Sequence, residues 1–233
     1  MFTSQKFNYL RNIKNSVGLT LRFSKSPLIV SAGMPRSGST LLFNILKNTL
    51  LIKYSDKLSC GWIGDLGKLP KGDAYLIKMH GLSKYYCFRS QFMFYTYRDV
   101  RVSIVSEMRK FNREPNIDSV RGRIEQYIIA KQRCDMLIQY EDLITNPSKY
   151  TRKIAEKMGI IANHQELVES SFYLHPPNVS LDGKGYSMET LLHKEHFTNT
   201  KDDEWRSVLT KEFQEEINAE FAWWFEECGY PLE

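Results

Sequence analysis

The feature that most restricts this chain is a short loop between two apolar runs. Leu28-Ile29-Val30-Ser31-Ala32, with Pro27 before it and Gly33 after it, is apolar throughout and short enough to be one buried strand. Beyond the loop, Leu41, Leu42, Ile45, Leu46, Thr49 and Leu50 recur at helical spacing. Between the two stand Gly33-Met34-Pro35-Arg36-Ser37-Gly38-Ser39-Thr40. A loop that leaves a strand and opens a helix aims several backbone N–H groups at one point, and the helix dipole adds positive potential there. Glycine permits the tight backbone, and Ser37, Ser39 and Thr40 add hydroxyl donors. Such a corner suits the phosphates of a nucleotide.

The loop matches a Walker A pattern at both glycines and at Thr40, but Ser39 stands where the lysine belongs. An NTP-hydrolysing site needs that lysine on the β- and γ-phosphates. Here the cation comes earlier, at Arg36. A degenerate kinase or NTPase, and a non-catalytic nucleotide binder, remain the alternatives to an enzyme that transfers some other group.

Strands and helices alternate along the rest of the chain. Ala74–Met79, following Pro70 and Gly72, reads as a second strand, residues 91–97 as a third and 136–140 as a fourth. Residues 100–111, 119–133, 148–158 and about 209–227 read as helices, the third stopped by Gly159. The last carries Leu209, Phe213, Ile217, Phe221 and Trp224 on one face. This order predicts one α/β domain over residues 27–233, P-loop-like and three-layered, with a mostly parallel central sheet and helices on both faces. The aromatics of 84–97 read as mostly core, by strand alternation. Residues 57–73 and 174–201 read as loops that shape an acceptor site, the second as a lid.

Residues 1–26 contain Lys6, Arg11, Lys14, Arg22 and Lys25 and no acid. They read as a basic leader helix packed on the domain, or as a targeting or membrane-surface segment. The most apolar helical stretch, 41–52, is too short and too polar for the ~20 residues of a membrane span. Four scattered cysteines, Cys60, Cys87, Cys134 and Cys228, with no C-x-x-C, argue against a zinc or redox site and for reduced thiols in the cytoplasm. The net charge of +5 suits an anionic ligand without calling for nucleic acid. His175, His193 and His196 lack the tight spacing of metal ligands, so no metal is expected.

Further motifs follow in order. Arg36-Ser37-Gly38-Ser39-Thr40 after a strand resembles the 5′-phosphosulfate loop of the sulfotransferase family. Lys78-Met79-His80 resembles that family's Lys-Thr-His strand end. Arg98 followed eight residues later by Ser106 resembles its 3′-phosphate segment. Tyr140-Glu141-Asp142-Leu143 with Asn146-Pro147, and Trp205-Arg206 with Gly229-Tyr230, resemble later parts of it. The matches span residues 28–230. The family's Arg-Lys-Gly is missing, with Thr198, Asn199, Thr200 and Lys201 in that region.

The resemblance implies a sulfotransferase that takes a sulfuryl group from 3′-phosphoadenosine 5′-phosphosulfate without a metal. The acceptor would be the hydroxyl or amine of a small molecule or glycan. It implies Arg36, Ser37, Gly38, Ser39 and Thr40 around the 5′ end, Arg98 and Ser106 at the 3′-phosphate, and Tyr140 on the adenine. Arg36 and Lys78 would steady the transferring group. His80, at a strand's carboxyl end, is the expected base, with Asp65 as its rival. Arg98 alone can also be a surface ion pair, and Tyr140 a core aromatic. Arg101 and Ser103 carry no assigned role.

Overall fold

The computed structural model describes residues 25–172, 187–193 and 200–232. Of the expected leader over residues 1–26, only Lys25 and Ser26 are described.

Five parallel strands form one sheet: β1 (Leu28–Gly33), β2 (Leu58–Trp62), β3 (Ala74–Met79), β4 (Phe92–Tyr97) and β5 (Met136–Gln139), in the order β2-β3-β1-β4-β5. The helices are α1 (Ser39–Tyr54), α2 (Lys84–Arg89), α3 (Val100–Phe111), α4 (Ile117–Arg133), α5 (Tyr140–Thr145), α6 (Pro147–Lys157), α7 (His164–Phe172), α8 (Trp205–Val208) and α9 (Lys211–Cys228).

Period-two alternation splits the core in two. Val30, Ala32, Ile77, Met93 and Tyr95 face one layer, where α3, α4 and α9 contribute Val105, Ile124 and Trp224. Ile29, Leu76 and Phe94 face the other, against Phe43 and Leu46 of α1 and Ile154 of α6. All these side chains are almost wholly buried. This is the three-layer arrangement expected from the sequence.

Strand order reverses at β1, which has β3 on one side and β4 on the other. Ligands gather outside the carboxyl ends of strands at such a reversal. The loop after β1, the end of β3 and the end of β4 meet there.

Three expectations change. The segment expected as an acceptor loop over 57–73 contains the edge strand β2 and a 3₁₀ turn, Ile63–Lys68. The aromatic run splits: residues 84–89 turn into α2, and Phe88 is 88% exposed rather than core. Part of the expected lid packs on α1 instead. Asn44 Nδ2 donates to Thr190 O at 2.9 Å, Lys47 Nζ pairs with Glu189 at 3.0 Å, and Leu191 is buried among α1 and α6 side chains.

Arg101 and Ser103 are structural. The Arg101 guanidinium is buried between the rings of Trp205 and Phe225, bonded to Asp99 and to Pro231 O, and so ties α3 to the chain's end. Ser103 Oγ donates to Pro35 O at 2.7 Å, which fixes the first loop against α3.

Candidate active site

The phosphate loop is fastened from below. Ser37 is fully buried, and its hydroxyl is bonded to Met34 O, Thr96 O and Thr96 Oγ1 at 2.8 to 3.0 Å. The hydroxyl of Ser37, expected to face the ligand, therefore faces the sheet. Gly33 sits so close to Thr96 that a Cβ would stand 2.2 Å from its hydroxyl. Gly38 has φ of 76° and lies against the edge of the Tyr140 ring.

Helix α1 starts from Gly38 with no side-chain cap and no acid in its first turn. That leaves the positive end of its dipole toward the loop. Cations surround this helix end. Arg36 holds φ of 64°, a left-handed conformation that costs about 1 kcal/mol for a residue with a side chain. Its Nε donates to Ser106 Oγ at 2.9 Å. Burial lowers its pKa, and nearby Arg98 lowers it further. Lys78, at the end of β3, donates from Nζ to Thr40 Oγ1. Burial, aided by Arg36, draws Lys78 down to about 7. Like charges held together in this way favour an anion among them.

Arg98 follows β4 and is mostly buried. Its guanidinium lies 4.3 Å from the centre of the Tyr140 ring. Nη2 donates to Asp202 at 2.7 Å and to Thr200 O at 3.4 Å. Among the described residues its Nε is buried with no hydrogen-bond partner, since Glu141 Oε1 stands 3.6 Å away. Glu141 in turn accepts from Tyr230 OH at 3.0 Å. Tyr140 thus holds both Gly38 and Arg98, a job its sequence position did not reveal.

His80 comes two residues after Lys78. Its Nδ1 lies 2.9 Å from Gly33 O. A carbonyl only accepts, so Nδ1 carries the hydrogen and Nε2 keeps the lone pair. Burial, and then the Lys78 ammonium, push this imidazole down to about 4. It is neutral at pH 7. Asp65 sits on the 3₁₀ turn, with its carboxylate 2.7 Å from Lys68 Nζ. Sequence reasoning missed Trp62, whose ring centre is 5.3 Å from that of His80 and 5.9 Å from Lys78 Nζ. Its only signal was an aromatic at the end of a weakly patterned edge strand.

His193 is exposed, while His175 and His196 lie outside the described residues. Among the described residues, no three His, Cys, Asp or Glu side chains form a potential metal-binding group, and no helix is long and apolar enough to cross a membrane.

The packing at Gly38 predicts a clear effect. A Cβ there would lie 2.7 Å from Tyr140 Cδ2, on a backbone that disfavours it. Gly38→Ala is expected to cost about 1–3 kcal/mol in denaturant unfolding. A change under about 0.3 kcal/mol would contradict a tight contact between loop and ring.

No family model and no curated protein matches the sequence. Solved structures do match. A mouse sulfotransferase, SULT7A1, complexed with PAP, superposes with a TM-score of 0.58 at 14% identity, over 84% of each chain. Retinol dehydratase with retinol and PAP gives 0.58 at 14% identity, over 89% of this chain and 83% of that one. Retinol dehydratase with androsterone and the inactive cofactor PAP gives 0.53 at 14% identity, over 87% and 83%. By its strands, helices and their order, the chain has the fold of a sulfotransferase.

Proposed function

We propose that this chain is a sulfotransferase that moves a sulfuryl group from 3′-phosphoadenosine 5′-phosphosulfate to a hydroxyl or amine acceptor. What carries this is one arrangement: an uncapped helix end ringed by Arg36, Lys78 and Arg98, with a neutral histidine at the adjoining strand end. The structural neighbours, each bound to PAP, support the same donor class.

In this proposal the α1 amides with Arg36, Ser39, Thr40 and Lys78 hold the 5′ phosphosulfate. Arg98 and Ser106 serve the 3′-phosphate, and Tyr140 borders the adenine. His80 Nε2 takes the proton from the acceptor. The acceptor oxygen or nitrogen forms the new bond to sulfur as the bond from sulfur to the bridging oxygen breaks. Charge then develops on that oxygen, where Lys78 and Arg36 offset it. A sulfuryl group carries less charge than a γ-phosphoryl, so these cations suffice without a metal. The Glu107 carboxylate offsets a small part of the lowering at Arg36 and His80.

To test the activity, the full chain is incubated with the donor and a panel of phenols, alcohols, sugars and amines. Mass spectrometry should find an acceptor gaining one SO₃ as the donor becomes adenosine 3′,5′-bisphosphate. Donor left intact across every acceptor class would argue against transfer.

The low pKa of Lys78 gives a signed prediction. The free site holds Lys78 near 7, and an anionic nucleotide favours its protonated form. Binding then takes up a proton above pH 7. Affinity for the bisphosphate is full below pH 7 and falls as pH rises from 7 to 9. Calorimetry in buffers of different ionisation enthalpy checks the uptake. Lys78→Met should flatten the slope, and a slope unchanged in that variant would remove Lys78 as its source.

A further inference from the structure

The guanidinium of Arg98 has a carboxylate partner from far along the chain. Asp202, 104 positions later, brings Oδ1 to 2.7 Å from Nη2. The two side chains are unlike in setting: Arg98 is 8% exposed and Asp202 68%. Residues 200–204 are attached there by more than one bond. Thr200 O also accepts from Arg98, Glu204 pairs with Arg109 of α3, and Glu204 accepts from Lys201 N at 3.2 Å. Two carboxylates, Glu141 and Asp202, thus flank one buried guanidinium.

A phosphate arriving at Arg98 would add up to two more negative charges to a cation already neutralised. One carboxylate must then give way. Glu141 is half-buried and bonded to Tyr230 OH, whereas Asp202 opens to solvent. Asp202 is the one that can leave at little cost.

We propose that Asp202 is an internal stand-in for the ligand's 3′-phosphate, which sets how tightly the spent nucleotide is held and how fast it departs. The carboxylate takes Nη2 when the phosphate leaves and competes for it when the phosphate is bound. This rests on Arg98 serving the 3′-phosphate. A nucleotide that has only a 5′-phosphate leaves the Asp202–Arg98 pair in place and does not feel the competition.

The experiment compares wild type with Asp202→Asn, which keeps the side chain's shape and removes its charge. Adenosine 3′,5′-bisphosphate and adenosine 5′-phosphate are titrated by calorimetry, and bisphosphate release is followed by stopped flow. Asp202→Asn should bind the bisphosphate about fivefold more tightly, the worth of one partly exposed ion pair, and release it correspondingly more slowly. Affinity for the monophosphate should stay within about twofold. Asp202→Ala, lacking an acceptor, should move in the same direction at least as far. If wild type prefers the bisphosphate but neither variant tightens, or both weaken, Asp202 is a structural partner and the inference fails while the role of Arg98 stands. If wild type shows no preference for the bisphosphate, Arg98 does not serve that phosphate, and the inference falls with it.

Discussion

His80→Ala is expected to lower turnover by about a hundredfold to ten-thousandfold, the usual worth of a placed general base, and to leave affinity for adenosine 3′,5′-bisphosphate within about twofold. The reason lies in how the ring is held. Its Nδ1–H is committed to Gly33 O, so the imidazole is locked with Nε2 as acceptor. Burial and Lys78 keep it neutral at pH 7, so it is ready to take a proton. A base near 4 is weak at first sight. The donor's negative charge should raise that pKa and partly cancel the Lys78 field, which brings the base closer to its task. Single-turnover rates with donor in excess separate this from binding. Retained turnover would move the base elsewhere, and Asp65→Asn would then be the next variant. A large loss of nucleotide affinity would instead mean that His80 mainly props the phosphate loop through Gly33.

Arg98→Ala is expected to weaken adenosine 3′,5′-bisphosphate by about thirty- to a hundredfold, as removal of one buried charge-assisted partner does. Adenosine 5′-phosphate should lose less than about threefold, since the 5′ end belongs to Arg36, Lys78 and the α1 amides. The two ligands differ by one phosphate, so their ratio isolates that phosphate. The substitution also strips Tyr140 and Glu141 of their cation. A general loosening would weaken both ligands alike, and such a uniform loss would remove Arg98 from the 3′ site.

Much of the fold was legible because its signals are local. The apolar run of β1, the glycines of the loop and the 3.6-residue spacing of α1 and α9 each lie within one stretch of chain. Gly159, just after α6, marks a helix end where it was expected. β2 was not legible. It is a five-residue edge strand preceded by Lys57 and interrupted by Gly61, and the alternation of Leu58, Cys60 and Trp62 is too short to stand out from the loop around it. Phe88 was misjudged because an aromatic cluster reads the same whether a helix turn or a strand carries it.

The site divides in the same way. Arg36, Lys78, His80 and Arg98 were legible as charged or titratable residues at loop and strand ends. Which hydroxyls face outward was not. Ser37 and Ser39 look alike in sequence, and the left-handed turn at Gly38 helps turn one toward the sheet and leave the other at the start of α1. Asp202 was beyond reach for another reason. No spacing rule links two residues that meet only after the whole domain has closed, and the absent Arg-Lys-Gly drew attention to a missing cation rather than to an added acid.

In the proposed function, one site recognises a nucleotide by two separate phosphate ends without a metal. Isothermal titration of adenosine 3′,5′-bisphosphate against ADP, each with and without Mg²⁺, tests it most directly. The expected result is tighter binding of the bisphosphate by about tenfold or more, unchanged by Mg²⁺, since a second phosphate anchor adds at least one charge-assisted contact. Equal affinities, or binding of ADP that requires Mg²⁺, would contradict it and return the loop to the kinase and NTPase class.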